Sequence, residues 1–405
     1  MEAVYERCCG IDVHKKMIVA CLLVGGKHEI RTYSTLTKDL KEMAQWLIDN
    51  DCQISAMEST GAYWKPVYNV LELLGLEVII VNAQHMKAVP GRKTDTKDAV
   101  WIADLLKHGL LKASFIPNKE QRELREISRY RKSLVEERSR EINRLEKTLE
   151  GANIKLSTVV KSLNGLSSRG ILNALMGEGL NEENIDGLLY GTLKAKRDEL
   201  LLACDGVMTK IQKKLVHAIL DHIDDMTKRI SEMDDIINGE MKAYENAIKA
   251  LDEMPGIAPR SAQVILSEIG LDMTRFPTAN HLASWAGLSP GNNESAGKRK
   301  SEKTCKGNMT LKTTLIQCAK TAARKEGSFY KAQFDRLVVR RGKNRATVAV
   351  AHSMLISIYH MLKDDVPYND LGSNYYNQFN AEKKIGHYLK MLKSLGWQQP
   401  TLALA

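Results

Sequence analysis

Apolar and polar residues follow two different periods in the first part of the chain. Short apolar runs predict strands at 7–14, 17–23, 28–33, 54–57 and 76–81. Apolar residues at helical spacing predict helices at 40–48, 61–74 and 95–108. Gly25 and Gly26 predict a tight turn between the second and third strands. The pattern therefore predicts an α/β domain over residues 1–115, with three strands in succession before the helices begin.

This order of elements is that of the ribonuclease H fold. Within it, Asp12 lies in the first strand and Glu58 ends the fourth. Asp95 and Asp98 lie three residues apart on the last helix, so their side chains share one side of that helix. These are positions from which four carboxylates can meet at one edge of the sheet.

A second pattern begins near residue 116 and predicts a helical arm over 116–250. Residues 219–237 alternate apolar spacings of four and three, as along a coiled-coil seam. The stretch 151–214 contains Gly and Ser clusters and predicts an insertion of short helices. The period is compatible with an antiparallel arm inside one chain and with a dimerisation coil between chains, and both alternatives stay open.

Residues 251–365 predict a mostly α-helical C-terminal domain, followed by a tail at 366–405. The turn Met254-Pro255-Gly256-Ile257 leads into a helix rich in small residues. Such a turn is typical of helix-hairpin-helix elements, which present backbone N–H groups to phosphate. An ordinary loop before a capped helix explains the turn equally well. A loop rich in Gly, Ser and Lys is predicted at 289–308.

The composition favours a folded protein with a polyanionic partner. The chain has 405 residues, a net charge of +10 and a pI near 9.1. Its apolar runs are too short to cross a bilayer, and the N-terminus has no signal-peptide pattern, so we expect a cytoplasmic protein without a membrane partner. The seven cysteines contain no C-x-x-C pair and are expected to be reduced thiols.

Four carboxylates at one place repel one another unless a divalent cation joins them. Two ions bridged by carboxylates suit the cleavage or transfer of phosphodiesters. The alternative is that Asp95 and Asp98 are helix-start acids and that Asp12 and Glu58 cap turns. Asp104, on the same predicted helix, is a possible substitute ligand.

Basic residues form two candidate nucleic-acid contacts. Lys298, Arg299 and Lys300 concentrate positive charge in the predicted loop. Arg131 and Arg138 interrupt the apolar seam of the first arm helix, where pairing with acids four residues away explains them poorly. A solvated loop is the alternative for the lysine-rich cluster.

Three N-terminal motifs resemble a known family. They are Gly10-Ile11-Asp12-Val13-His14-Lys15, Glu58-Ser59-Thr60-Gly61 and Lys93-Thr94-Asp95-Thr96-Lys97-Asp98-Ala99. Further matches follow in Pro255-Gly256-Ile257, Ala283-Ser284-Trp285-Ala286-Gly287-Leu288-Ser289-Pro290, residues 295–300 and Lys306-Gly307-Asn308. Together they resemble the DEDD-type insertion-sequence transposases related to the Piv DNA invertase.

That resemblance implies a RuvC-like catalytic domain that binds Mg²⁺ through Asp12, Glu58, Asp95 and Asp98. It also implies a serine nucleophile in the C-terminal domain, which matches Ser295. The chain reads Ser295-Ala296-Gly297 where the family commonly has Ser directly before Gly, and Ser301 is a nearby alternative. The Ser295 loop would have to fold onto the acidic site, in the same protomer or in another.

The resemblance further implies a function and partners. The expected function is an insertion-sequence transposase that cuts and rejoins donor and target DNA, directed by a guide (bridge) RNA. The expected protein is a homo-oligomer, a dimer or a tetramer, in the nucleoid of a bacterium or archaeon. Two rival functions are a RuvC-like structure-selective endonuclease and a nucleic-acid-binding protein without catalysis.

Overall fold

The structure, a computed structural model, describes residues 3–59, 61–82, 95–291, 293–295, 298–301, 303–378 and 381–397. The side chains of 95–97, 293–295, 298–301, 377 and 382–384 are outside this description. The chain forms two compact units, Met1–Pro117 and Asn118–Ala405. The predicted division of the second unit at residues 250 and 365 stays a prediction.

The first unit is built on a mixed five-stranded sheet of order β3-β2-β1-β4-β5. Its strands are Arg7–Val13 (β1), Met17–Val24 (β2), Lys27–Ser34 (β3), Ile54–Glu58 (β4) and Val78–Val81 (β5). The first three pair antiparallel, whereas β4 is parallel to both β1 and β5. The predicted succession of strands is thereby confirmed, and β1 becomes a central strand with neighbours on both sides.

Helices cover both faces of this sheet. They are Thr37–Asp49 (α1), Trp64–Leu73 (α2) and Asp95–Lys107 (α3). On one face, Met43, Leu47 and Leu71 of α1 and α2 share a core with Ile11 and Met57 of the strands. The opposite face carries a smaller core in which α3 packs on β1, β2 and β4, with Cys8, Val19, Cys21, Ile54, Ala56, Ala99, Ile102, Ala103 and Leu106. Alternate residues of β1 therefore face α3.

The second unit begins with two long antiparallel helices, Lys119–Gly151 (α4) and Lys210–Glu240 (α8). The Arg138 guanidinium donates to Thr227 Oγ1 at 3.2 Å, and Arg131 pairs with Asp234, which gives the antiparallel direction. Apolar side chains of α8 are buried along the seam: Val216, Ile219, Leu220, Ile223, Met226, Ile230 and Ile237. These side chains lie between two helices of the same chain, and the predicted coiled coil, as an arm or between chains, stays a prediction.

Short helices connect the two arm helices. They are Leu156–Val159 (α5), Leu166–Met176 (α6) and Arg197–Ala203 (α7), together with 3-10 turns at Asp186–Leu188 and Gly191–Lys196. The predicted insertion thus has its own core, which includes Ile171, Leu172 and Leu200. Leu145 and Ile223 of the arm belong to the same core, so the insertion is anchored on the end of the arm.

The rest of the chain is mostly helical. Its helices are Glu245–Asp252 (α9), Pro259–Ile269 (α10), Ala279–Trp285 (α11), Met309–Ala322 (α12), Phe329–Arg341 (α13), Lys343–Asp364 (α14), Tyr375–Gln378 (α15) and Ala381–Ser394 (α16). Two short strands, Asn293–Ser295 (β6) and Lys298–Ser301 (β7), form a separate sheet. The predicted tail therefore contains two helices.

The turn at Gly256 connects α9 to α10. Gly256 has a φ of +85°, and a Cβ there would lie 2.3 Å from the Cys318 carbonyl oxygen of α12. The glycine therefore allows a left-handed turn to touch a helix backbone. This contact accounts for the glycine without a phosphate, and the helix-hairpin-helix role stays a prediction. Across the described ranges, no helix combines the length and apolarity that crossing a bilayer requires.

Candidate active site

The parallel register of β1 and β4 brings two of the predicted acids side by side. Ile11 is paired with Met57, so Asp12 and Glu58 are the next residues on adjacent strands. Side chains alternate between the faces of a strand, so Asp12 lies on the same face as Cys8 and Gly10. Glu58 likewise lies on the face of Ala56, which packs against α3. Both carboxylates therefore belong to the face that α3 covers.

Helix α3 runs in the opposite direction to β1, and its start lies over Asp12. The Cys8 thiol is 3.6 Å from the Ala103 carbonyl oxygen. Two residues further along the strand, a Cβ on Gly10 would lie 2.1 Å from the Ala99 carbonyl oxygen. The next residue of β1 on this face is Asp12, and Asp98 immediately precedes Ala99 on the helix. The direct contact at Gly10 is what brings the two together.

The charges of Glu58 and Asp98 act on the Asp12 carboxylate. Partial burial raises the pKa of Asp12, and the negative charges of Asp98 and Glu58 raise it further. The His14 side chain opposes this effect, because its Nε2 lies 3.0 Å from Asp12 Oδ2. The Asp12 side chain is only 17% exposed, whereas that of His14 is 48% exposed. The more exposed His14 side chain therefore contacts the Asp12 carboxylate on its solvent-facing side.

Three of the four predicted metal ligands, Asp12, Glu58 and Asp98, have side chains among the described residues. Within the described part of the chain, no three His, Cys, Asp or Glu side chains are grouped closely enough to hold a metal ion. The donor set nevertheless fits Mg²⁺ chemically, because carboxylate oxygens are its preferred protein ligands. A cation would also relieve the repulsion that raises the pKa of Asp12. The backbone of Asp95 begins α3, and its side chain lies outside the described residues.

The possible substitute ligand Asp104 has another partner. Its Oδ1 lies 3.1 Å from Nε2 of His28, at the start of β3. It is six residues beyond Asp98, so it lies nearly two helical turns further along α3. Asp104 therefore has His28 as its own contact, apart from the sheet edge with Asp12, Glu58 and Asp98, which we call the acidic edge.

Ser295 is the last residue of β6, in a pair of antiparallel strands where the sequence predicts a loop. Ser295 is paired with Lys298, the first residue of β7, whereas Ser301, the last residue of β7, is paired with Asn293. The pairing continues towards the base, because the Gly291 N–H donates to the Lys303 carbonyl at 3.0 Å. The Cys305 N–H donates to the Ser289 carbonyl, also at 3.0 Å. We call the described residues within 289–305 the serine hairpin.

The charged residues of the predicted contacts divide into two groups. Lys298, Arg299 and Lys300 form the second strand of the serine hairpin. Arg131 instead has an internal partner, because its Nη2 donates to Asp234 Oδ2 at 3.2 Å and its side chain is 19% exposed. Its position on the seam is explained by this ion pair between the arm helices. Contact between Arg131 or Arg138 and nucleic acid stays a prediction.

A fully buried carboxylate, Glu268 on α10, was not among the residues predicted from the sequence. Arg129 binds it with two hydrogen bonds, from Nε to Oε1 at 2.7 Å and from Nη2 to Oε2 at 2.8 Å. The Nε of Arg125 lies 3.4 Å from Oε2, and Asn308 Nδ2 donates to the same oxygen at 2.6 Å. An acid inside the apolar run Val264-Ile265-Leu266-Ser267-Glu268-Ile269 was the available signal.

Two family models match the chain in order. A model named for the DEDD transposases of IS110 elements, described as "Transposase", matches residues 9–154. A second, described as "Transposase IS116/IS110/IS902 family", matches residues 248–334. The first match contains the acidic edge, and the second contains the serine hairpin and Glu268.

Curated relatives and one solved structure are similar to the chain. An insertion element IS110 uncharacterized 43.6 kDa protein of Streptomyces coelicolor is 27% identical over 69% of this chain and 73% of its own length. The transposase for insertion sequence element IS1111A of Coxiella burnetii is 24% identical over 76% of each. T. thermophilus RuvC in complex with a Holliday junction substrate is matched over 27% of this chain and all of its own, with 11% identity and a TM-score of 0.21. With both family models matched in order, the chain belongs to the IS116/IS110/IS902 family of transposases.

Proposed function

We propose that the protein is a Mg²⁺-dependent DNA transposase that cuts and rejoins DNA during the movement of an insertion sequence. The observation that carries the proposal is the shared edge of Asp12, Glu58 and Asp98, where the charges of the latter two raise the pKa of Asp12. A carboxylate whose ionised form is disfavoured by neighbouring negative charges is suited to a cation and a phosphate. The RuvC-like character of the first unit is part of the proposal.

The acids act together in this proposal. Asp12, Glu58 and Asp98 bind magnesium with Asp95, and His14 keeps the Asp12 carboxylate oriented by its contact at 3.0 Å. Bound magnesium would neutralise the charge that develops on the phosphate in the transition state. The partial burial of Asp12 excludes bulk water from this part of the edge, which strengthens each electrostatic contact.

Ser295 is the proposed nucleophile. Its Oγ attacks the phosphorus, the bond from phosphorus to the leaving strand oxygen breaks, and the serine proton passes to that oxygen. A phosphoserine results, and a strand hydroxyl then displaces the serine and rejoins DNA. A serine hydroxyl needs activation, and the position of Ser295 opposite Lys298 supports a site that attracts phosphate.

The proposed partners follow from charge and from the proposed reaction. Lys298, Arg299 and Lys300 are the proposed contacts to the DNA backbone, and the net charge of +10 suits polyanions in general. We propose that a guide RNA directs the protein to donor and target DNA. Pairing of two DNA ends requires more than one active site, so we propose a homo-oligomer, a dimer or a tetramer.

Paired-end DNA tests the proposal. The protein is incubated with Mg²⁺, two labelled element ends, and transcripts of the non-coding DNA that flanks its gene. Joined strands that require Asp12, Ser295 and a transcript are the expected result. Nicks without joining, unchanged in Ser295→Ala, would instead identify a structure-selective endonuclease. Binding without any Mg²⁺-dependent cleavage would identify a binding protein without catalysis.

A further inference from the structure

The buried Glu268 carboxylate connects the arm to the C-terminal helices. Arg129 and Arg125 belong to α4, whereas Glu268 belongs to α10. Arg129 forms the two hydrogen bonds to the Glu268 carboxylate described above, and Nη2 of the Arg125 guanidinium donates to the Glu268 backbone carbonyl. Burial lowers the pKa of Arg125 to about 10, and the Glu268 charge opposes this effect.

Asn308 extends these contacts to the serine hairpin. Its side-chain nitrogen donates to Glu268 Oε2 at 2.6 Å, and its Oδ1 accepts from the Leu311 N–H at 3.1 Å as the cap of α12. Its backbone N–H donates to the Trp285 carbonyl at 3.0 Å. The Arg125 guanidinium lies 5.3 Å from the centroid of the Trp285 ring. One residue thus contacts the buried acid, the start of α12 and the end of α11.

The base of the serine hairpin lies directly against this contact. A Cβ on Gly307 would lie 2.3 Å from the Gly287 nitrogen and 2.5 Å from the Trp285 carbonyl oxygen. Two backbones therefore meet without side chains between them, immediately before the residues of the hairpin begin to pair. Lys312 Nζ also donates to Thr304 Oγ1 at 2.6 Å. A shift at Asn308 must move the hairpin base, because no flexible side chain separates them.

We propose that Glu268 and Asn308 are positioning residues that set the placement of the serine hairpin from the arm helix α4. The inference rests on the proposed function of Ser295 for its consequence in the reaction, but the placement itself is measurable without any reaction. Apolar residues would stabilise a core about as well as a buried ion pair. A charged contact with fixed hydrogen-bond geometry instead holds α4, α10 and the start of α12 in one relative position.

The test compares Asn308→Ser with Thr313→Val in the full-length protein. Asn308→Ser keeps a hydroxyl to cap α12 and the backbone N–H to Trp285, and it removes only the donor to Glu268. Thr313→Val removes the bond from Lys132 Nζ to Thr313 Oγ1 at 2.7 Å, which joins α4 to α12 away from the hairpin. The measurements are amide hydrogen exchange at Gly291 and Cys305, DNA-end affinity, and the initial rate of covalent protein–DNA adduct.

In Asn308→Ser we expect exchange at Gly291 and Cys305 to become about tenfold faster, because local opening is easier. The adduct rate should fall at least about tenfold, since small displacements of a reacting group are costly, while DNA-end affinity stays within about twofold. Thr313→Val should change none of the three. Unchanged exchange in Asn308→Ser, or faster exchange with a normal adduct rate, would overturn the inference.

The inference and the proposed function can fail separately. If the unmodified protein forms no adduct, the serine chemistry fails, and the exchange rates alone decide whether Asn308 holds the hairpin. Glu268→Gln provides a second variant that keeps an oxygen acceptor for Arg129 while removing the charge. Faster exchange at Gly291 and Cys305 is expected there as well, and normal exchange in the folded variant would count against the role of Glu268.

Discussion

A Cβ placed on Gly10 would lie 2.1 Å from the Ala99 carbonyl oxygen, so β1 and α3 touch through their backbones. No other residue type allows this approach, because real Cβ atoms do not come that close to a carbonyl oxygen. The contact lies two residues before Asp12 on the strand and one residue after Asp98 on the helix. Gly10 thereby determines how near the two carboxylates lie.

Gly10→Ala should separate the acids and destabilise the first unit. The added methyl group forces α3 away from the sheet, and overpacking of this kind costs about 1–3 kcal/mol. We expect a lower melting temperature. We also expect the rate of strand joining to fall by more than the decrease in the folded fraction of the protein explains. Gly239→Ala is the control, because a Cβ there has no neighbour within 4 Å and alanine favours the helix. Equal activity of the two variants would contradict the role of Gly10.

Asp12→Asn should raise stability when no divalent cation is present. The pKa of Asp12 is higher in the folded state than in the unfolded state. The contribution of Asp12 to folding stability is therefore fully present below the unfolded-state pKa and is lost as the pH rises through the folded-state pKa. At neutral pH the ionised carboxylate therefore opposes folding, and asparagine removes that effect. Thermal unfolding at pH 5 and pH 8 should show a larger difference between wild type and variant at pH 8.

Mg²⁺ should stabilise the wild type and not Asp12→Asn. A ligand at a hundredfold excess over its Kd stabilises the folded state by about 2.7 kcal/mol. Asp104→Asn is the matched control, because Asp104 lies on the same helix but contacts His28 at 3.1 Å. Its response to Mg²⁺ should be that of the wild type. A response lost in Asp104→Asn and retained in Asp12→Asn would mean that the cation binds elsewhere.

Ser295→Ala should abolish the covalent protein–DNA adduct, whereas Ser301→Ala should retain it. Ser295 is paired with Lys298, the first residue of β7, whereas Ser301 is paired with Asn293 at the other end of the two strands. Denaturing gels with end-labelled DNA measure the adduct directly. Both variants should bind DNA with unchanged affinity, since neither loses a charge. An adduct that depended on Ser301 would reverse the assignment.

Replacing Lys298, Arg299 and Lys300 with glutamine should weaken DNA binding and its salt dependence together. Each phosphate contact contributes about 0.7–0.9 to the slope of log affinity against log salt, so three contacts change it by roughly 2–3. Arg131→Gln should instead lower thermal stability, because Asp234 loses its ion pair with Arg131 and keeps the one with Arg260, whose Nη2 lies 3.0 Å from Asp234 Oδ1. A slope change as large in Arg131→Gln would place Arg131 on the nucleic acid.

The sequence by itself determined the order of strands and helices and the positions of the acids along them. Local periodicity carries that information, since a period of two or of 3.6 is visible within a single element. The order of elements also predicted that the acids meet at one edge of the sheet, and the observed pairing of β1 with β4 makes Asp12 and Glu58 neighbours. The three family motifs gave the expected chemistry before any geometry was available.

Tertiary structure alone decided which long-range partners the charged residues have. Glu268 binds an arginine more than 130 positions away in the sequence, and Asp234 pairs with Arg131. Asp104 contacts His28 and not Asp12. The paired backbone of the serine hairpin was equally invisible in a segment rich in Gly, Ser and Lys. Such contacts depend on which elements pack against each other. The periodicity of apolar residues within one element does not predict that packing.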